Sequence, residues 1–454
     1  MPVRVHIPCG RGHIEFVSPP GVQVQVVEPA TGATIDLPSE ADQALLQPVA
    51  SPPLLDLAAP GQRVCIVFTD ATRDVPDQVL VTALLKQLRQ AGVQATDILL
   101  LCGVGMHRPS TPEEKRAKLG EDTLRQYRVL DSDAKSTSDL VYLGHCQDAP
   151  LWVNRVAVEA DLLLATGVVE PHQYAGYSGG RKTVAIGAGG ESTIAATHSP
   201  AMIRHPGVRL GNLEGNPFHE IITESARRAG LKFVINVLKD ATGQTVAVAA
   251  GEPSATLEHL VGRARAFYEV QLDQQFDIVV AGVGHPKDSN IYQASRAATY
   301  VYLAPQPVLR PGGVIIIPAP CEEGAGRGPG EERFLQAMRS HQSPAEVVRA
   351  LESRPTLAGE QRSYMLARVL QDCSVIFVAS ESPQEVRACH MTFASTLSEA
   401  LDLARSWTRR DADVLVVPHS LLTVLRGPEA SGVAQSASSG VSDASQHATS
   451  GVEK

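Results

Sequence analysis

Apolar positions along this chain come in two kinds of block. Val64-Cys65-Ile66-Val67-Phe68 is an unbroken apolar run of strand length, the pattern of a strand covered on both faces. Leu80, Leu84 and Leu88 then recur on one helical face, with Asp77 as N-cap and Gly92 as stop. Asp97 to Cys102, Leu162-Leu163-Leu164 and Phe233-Val234-Ile235 read as further strands, and 218–229 and 254–267 as helices. A second series begins near Phe276. Its strands are Ile278-Val279-Val280, Val314-Ile315-Ile316-Ile317, Val375-Ile376-Phe377-Val378 and Val414-Leu415-Val416-Val417, with helices between, one of them over 331–339. Strands alternating with helices specify an α/β fold with largely parallel sheets. The expected division is a first α/β domain over 1–270 and a second over 271–426, with the boundary in the polar stretch 269–275. Roughly the first 55 residues alternate short Val-rich runs with Pro and Gly turns, which predicts a small antiparallel β element. The tail 427–454 is rich in Ser, Ala, Gly and Gln and reads as disordered.

Composition narrows the function classes. The chain has 454 residues, 43% of them hydrophobic and 20% charged, with a formal net charge of -9. That balance fits a globular enzyme and opposes nucleic-acid binding, which needs a basic face. No apolar run has transmembrane length and no signal-peptide pattern opens the chain, so no membrane partner is expected. Seven cysteines, scattered and without a C-x-x-C pair, read as reduced thiols of a cytoplasmic protein.

The candidate chemistry sits in loops that follow these strands, where open α/β sheets bind ligands. The densest is Glu170-Pro171-His172-Gln173-Tyr174-Ala175-Gly176-Tyr177-Ser178-Gly179-Gly180-Arg181-Lys182. Its glycines let backbone approach a ligand, and successive N–H groups are expected to form an anion cup opening toward Lys182. Lys182 reads either as an anion partner or as a covalent anchor, since an amine can acylate or form an imine. In Asp70-Ala71-Thr72-Arg73-Asp74, Arg73 either clamps a carboxylate or pairs with Asp70 or Asp74. His107, in Gly105-Met106-His107-Arg108-Pro109 before a Thr-Pro-Glu-Glu helix start, is either a base or a solvated histidine. His198, in Thr197-His198-Ser199-Pro200, can bind a metal if a cofactor supplies the other ligands; a protein-built zinc pattern is missing. Gln293 and Arg296 are three apart and share a helical face. Gly324-Ala325-Gly326-Arg327-Gly328 lacks the spacing of a dinucleotide fingerprint.

Taken in order, Asp70-Ala71-Thr72-Arg73, Gly105-Met106-His107-Arg108-Pro109, Glu170-Pro171-His172 through Gly180-Arg181-Lys182, Thr197-His198-Ser199-Pro200 and Tyr292-Gln293 with Arg296 resemble the nickel-pincer lactate racemase family. The resemblance covers the chain up to Arg426. It implies two α/β domains with an active-site cleft between them. It also implies a nickel-pincer nucleotide, a pyridinium mononucleotide whose two thiocarbonyl arms hold nickel. By the same resemblance His198 is the metal ligand, and His107 and His172 are acid/base residues on opposite sides of the substrate. Lys182 is a covalent anchor, and Asp70, Ala71, Thr72 and Arg73 border the cofactor. Arg73, Gln293 and Arg296 bind a small 2-hydroxy acid, and the enzymes that make the cofactor are candidate partners. The implied reaction inverts C2 by hydride transfer to and from the cofactor through a 2-keto acid. One departure is Arg296, where lactate racemases of the family carry Lys; a forked, planar donor suits a longer or more polar acid. An NAD-linked 2-hydroxyacid dehydrogenase and a non-catalytic cofactor-binding protein are the alternatives.

Overall fold

A computed structural model describes residues 2–428 except Ala241 and Ala358. The apolar runs form two six-stranded sheets. In the first, the strands lie in the order Thr245–Gly251, Leu231–Lys239, Leu162–Val169, Val64–Thr69, Ile98–Gly103 and Arg128–Asp131. All its pairings are parallel except the edge pair of Leu231–Lys239 with Thr245–Gly251. In the second, the order is Thr392–Ala394, Ser374–Val378, Leu309–Pro318, Phe276–Ala281, Val414–Val417 and Val24–Val26, parallel throughout. The central strands are buried along their length because helices cover both faces.

The helices follow the apolar spacing. Helix Asp77–Gln90 buries Leu80, Leu84 and Leu88 against Ile66 and Phe68, each leucine contributing about 1.5–3 kcal/mol on leaving water. Gly92, at φ 84°, ends it as expected. Asp77 is not its cap. It is the first helical residue, wholly buried, and accepts hydrogen bonds from Thr69 Oγ1 at 2.6 Å and Thr166 Oγ1 at 2.5 Å. Its carboxylate faces the sheet rather than the helix's own amides. Thr111 does cap its helix, through a reciprocal capping box with Glu114.

The N-terminal segment departs from expectation. Arg4–Cys9 and Gly12–Val17 make the antiparallel hairpin, but Leu37–Leu46 is a helix with Pro in its first turn, burying Ala41 and Leu45 one turn apart. Strand Val24–Val26 pairs with Val414–Val416, and Ile7 and Phe16 pack against Ile278, Val280 and Val416. The first strands therefore belong with the second sheet, which a division at residue 270 does not describe. At that division Glu269–Gln271 is a short strand beside Val424–Arg426, tied by Arg426 to the Glu269 carboxylate at 2.8 and 3.0 Å. The halves also share apolar packing: Tyr174, Ala185 and Phe218 lie in one cluster with Val279, Ile291 and Val301.

Candidate active site

Strand order locates the site. Strands following Val64–Thr69 in sequence are laid first on one side of it, and Leu162–Val169 is then laid on the other. The loops leaving these two neighbours diverge and open a crevice. They are the loop Asp70 to Pro76 and the loop Glu170 to Gly179. In the second sheet the same reversal falls at Phe276–Ala281, whose following loop leads to Gln293 and Arg296.

Asp70 is buried, and its Oδ2 accepts from His107 Nδ1 at 2.6 Å while Thr72 Oγ1 donates to Oδ1 at 2.7 Å. Burial raises the Asp70 pKa, but the His107 hydrogen bond and charge, Thr72 and Arg73 outweigh it and hold the carboxyl below its usual value. With Nδ1–H given to a carboxylate, His107 keeps Nε2 as its basic nitrogen. The ring is half exposed and lines a cleft of about 450 Å³ with Gly105, Lys115 and Ser132. Arg73 is not consumed by its neighbours. Asp70 serves His107, Asp74 pairs with Lys239 at 2.5 Å, and no carboxylate partner of Arg73 occurs among the described residues. Ala71 and Thr72 are exposed on the same loop.

The loop is held from below by a residue that sequence reasoning missed. Lys118 donates to Arg73 O at 2.6 Å, Val75 O at 3.2 Å and Asp77 Oδ2 at 2.9 Å. Its side chain is only 11% exposed. Its run, Glu113-Glu114-Lys115-Arg116-Ala117-Lys118, looks like a solvated helix face.

The glycine-rich segment does not form the expected anion cup. The amides of Tyr177, Ser178 and Lys182 donate to Ala175, Glu170 and Gly179 carbonyls, and the Gly180 amide donates to Asn236 Oδ1 at 3.0 Å. Its glycines serve close packing instead. A Cβ on Gly176 would meet Asn212 O at 2.1 Å, and one on Gly180 would meet Val234 at 2.8 Å. Arg181 turns away from the crevice and donates to Thr223 Oγ1 at 2.5 Å. Lys182 is left without a hydrogen-bond partner among the described residues. Burial, then Arg73, lowers its pKa to about 7, with Glu170 opposing, so much of the amine is neutral near neutral pH.

The histidines that follow are neutral for the same reason. His172 lies well below its ordinary value through burial, then Lys182, Arg73 and Arg296. Its Nδ1 accepts from the Tyr174 and Ala175 amides at 3.3 and 3.1 Å, which puts the ring proton on Nε2. His198 caps the end of helix Glu191–Thr197. Burial lowers its pKa to about 4 against the Ile194 hydrogen bond. His198 Nδ1 donates to Ile194 O at 2.9 Å, which leaves Nε2 with a free lone pair. Its ring stands edge-on to Tyr174 and Phe218.

The second half reaches the same segment. Arg296 Nη2 donates to Tyr300 OH at 3.0 Å, and Tyr300 OH donates to Pro171 O at 3.4 Å. Gln293 Oε1 accepts a long bond from Arg296 Nη1 at 3.5 Å. Thr299 Oγ1 and Arg362 Nη1 both donate to Gln173 Oε1, at 3.0 and 3.2 Å. Arg362 lies on helix Glu360–Asp372 and was not singled out by any sequence pattern. The structure thus groups His172, Lys182, His198, Gln293 and Arg296 around the glycine segment, with Asp70 and Arg73 on one adjoining loop and His107 on the next. Arg73 connects the sets electrostatically, since its charge acts on Asp70, His172 and Lys182.

Among the described residues no group of three or more His, Cys, Asp or Glu could hold a metal ion. A metal at His198 therefore requires donors from a bound group. The residues fit one: His198 has the carbonyl-anchored Nδ1 common to metal-ligating histidines, and Lys182 is an unpaired amine of lowered pKa. No helix among the described residues is long and apolar enough to cross a membrane.

The model of the lactate racemase N-terminal domain matches residues 9–211, and that of the C-terminal domain matches residues 272–425. The lactate racemase of Thermoanaerobacterium thermosaccharolyticum is 32% identical over 433 residues, covering 93% of this chain and 99% of that protein. That of Lactiplantibacillus plantarum is 33% identical over 393 residues, 85% of this chain and 90% of that one. The solved lactate racemase apoprotein from T. thermosaccharolyticum superposes with a TM-score of 0.84 at 30% identity, over 93% of this chain and 100% of that one. A crystal structure of a Thermotoga maritima protein shares the fold, with a TM-score of 0.64 at 18% identity over 87% and 99% of the two chains.

Proposed function

This chain belongs to the lactate racemase family, and on that premise we propose that it is an isomerase interconverting the enantiomers of lactate or a related 2-hydroxy acid. The observation that carries the reading is the Asp70–His107 pair at 2.6 Å, which joins the loop after Ile98–Gly103 to the loop that presents an unpaired Arg73. An imidazole braced by a carboxylate is a competent base at its other nitrogen, and a forked cation beside it is suited to a carboxylate.

We further propose that the chain binds a nickel-pincer nucleotide, with His198 Nε2 as the protein's nickel ligand and the Lys182 amine as covalent anchor. When bound, that group supplies a reversible acceptor for the C2 hydride. The chain's own residues do the rest. Arg73 grips the substrate carboxylate in two parallel hydrogen bonds, and Gln293 and Arg296 orient the remainder from the second half. His107 Nε2 takes the hydroxyl proton of one enantiomer as its C2 hydride departs, while Asp70 holds Nδ1–H and stabilises the imidazolium. With the nucleotide bound, loss of hydride would leave a planar 2-keto acid whose two faces are both open to its return. For the opposite enantiomer the hydroxyl lies on the other side and falls to His172. The resting His172 presents Nε2–H, because the Tyr174 and Ala175 amides occupy Nδ1. To exchange a proton at Nε2, its ring must first release those two amides. The two histidines therefore start unequal, one as a base and the other as a hydrogen-bond donor.

The test is a chiral assay on protein produced together with the cofactor-synthesis enzymes, using lactate deuterated at C2. Interconversion with the label largely kept at C2 supports the reading. Rapid loss of deuterium to solvent would mean direct proton abstraction and would remove the hydride mechanism. Net oxidation without inversion would make the chain a dehydrogenase.

A further inference from the structure

The crevice holds more positive charge than one 2-hydroxy monocarboxylate uses. Arg362 is 7% exposed. A guanidinium has five N–H donors, yet the bonding of Arg362 consists of one neutral acceptor, Gln173 Oε1, and the face of Tyr292 at 5.3 Å. Its Nε is buried and unpartnered. Arg296 is in the same condition. It bonds Gln293 Oε1 and Tyr300 OH, stacks over Tyr300 at 5.5 Å, and has a buried, unpartnered Nε. Neither has a carboxylate partner among the described residues.

Other arginines of the same half, the exposed Arg354 and the part-buried Arg310, do have carboxylate partners. Arg354 is bidentate to Glu360, two residues before Arg362 on the same helix. Arg310 reaches both Asp277 and Asp413, at 2.7 and 2.8 Å. A guanidinium held among protein atoms without an ion-pair partner is costly. Arg362 is buried and Arg296 part-buried, with only the more distant charge of Glu170 acting on the latter, so the two beside one segment mark a place where an anion is brought in. Both converge on the segment carrying His172, Arg362 through Gln173 and Arg296 through Tyr300 and Pro171. Lactate has one carboxylate, which Arg73 takes in the reading above. Its methyl group would lie against two desolvated guanidinium groups with nothing to pair them.

We propose that Arg362 and Arg296 form a second anion site that receives a carboxylate at the far end of the substrate, so that the preferred substrate is a 2-hydroxy dicarboxylic acid. The proposal rests on the racemase reading and narrows its substrate. Its signature is discrimination: an acid that brings the second carboxylate pairs both cations, and one that lacks it leaves them buried and unpaired. Such differences amount to about tenfold to a hundredfold for a hydrogen-bonded charge.

The experiment compares the cofactor-loaded protein with 2-hydroxysuccinate and with lactate, by chiral assay and by calorimetric binding, with inorganic phosphate as a control anion. The expected result is at least tenfold tighter binding and higher kcat/KM for 2-hydroxysuccinate. Arg362→Gln should collapse that preference at least tenfold, and Arg362→Lys should restore part of it. Cofactor retention, read by mass spectrometry, should be the same in all three proteins. Equal handling of the two acids, or phosphate binding as tightly as 2-hydroxysuccinate, overturns the proposal. So does loss of the cofactor from Arg362→Gln, which would assign the site to the nucleotide. If lactate is racemised and 2-hydroxysuccinate is not bound, the dicarboxylate proposal fails and the racemase reading stands. If 2-hydroxysuccinate binds selectively but no acid is inverted, the anion site stands and the racemase reading fails.

Discussion

Lys118→Met is the perturbation that most directly tests how the Arg73 loop is held. The change keeps the length and apolar stem of the side chain and removes only the ammonium. Asp77, fully buried, loses its counter-charge at 2.9 Å, and the carbonyls of Arg73 and Val75 lose their donor. Breaking a buried ion pair by removing one partner costs about 3–5 kcal/mol. Each carbonyl left unpaired adds roughly 1–3 kcal/mol if water does not reach it. One effect opposes these. Burial already raises the Asp77 pKa against the pull of Lys118, so without Lys118 the carboxyl takes up a proton and sheds the worst of the penalty. The expected net loss is about 3–5 kcal/mol, read as a lowered urea midpoint of the apo protein. Pairing it with Asp77→Leu should return part of that loss, because no orphaned charge remains. The loop should slacken as well. KM for the hydroxy acid should rise by about tenfold, with kcat less affected, because Arg73 loses its anchored carbonyl. A stability change under about 1 kcal/mol with KM unaltered would refute the reasoning.

Three further outcomes are expected. His198→Ala should lose nickel from loaded protein by metal analysis, while Lys182→Ala should abolish any protein–cofactor mass adduct; full nickel retention in the first variant would reassign the ligand. His107→Ala, His172→Ala and Asp70→Asn should each lower racemisation on the order of a hundredfold or more; undiminished racemisation in either histidine variant would remove that residue from the proton path. The apo protein should also lose stability on mild acidification. Burial holds His198 at about 4 and His219 at about 3 in the native state, so below the unfolded value of about 6.5 the unfolded chain takes up protons that the native chain does not. Stability is then unaffected above that pH and falls beneath it, by about 1.4 kcal/mol per histidine at pH 5.5; unchanged urea midpoints between pH 7.5 and 5.5 would contradict these burials.

What the sequence made legible is local. Val64–Thr69 and Val314 to Ile317 are apolar because both faces are covered, and a run of that kind needs no partner to be recognised. The loops that carry chemistry were legible for a related reason, since ligands gather where such strands end. Features resting on distant partners were not. Val24–Val26 is three residues among prolines and glycines, and only its remote neighbour makes it a strand. Lys118 sits in a charged run, and its burial arises from a loop folded over it. The glycines after His172 misled in a subtler way. Residue type predicted exposed amides, but the close approach of Asn212 and Asn236 consumes the space and one of the donors.

The placement of the N-terminal strand has a consequence for biosynthesis. Val24–Val26 pairs with Val414–Val416, at the opposite end of the second sheet's chain order. At about 5–20 residues per second, the emerged strand waits on the order of 20 to 80 seconds for its partner to be translated. Until the strand Phe276–Ala281 is made, the hairpin ahead of Val24–Val26 holds Ile7 and Phe16, both 0% exposed in the finished protein, with no surface to rest on. The first sheet draws its strands from 64 to 251 and can assemble meanwhile. The nascent protein is thus a folded first half trailing a sticky N-terminal flap, and that flap, rather than either sheet, is where a ribosome-associated chaperone would be needed.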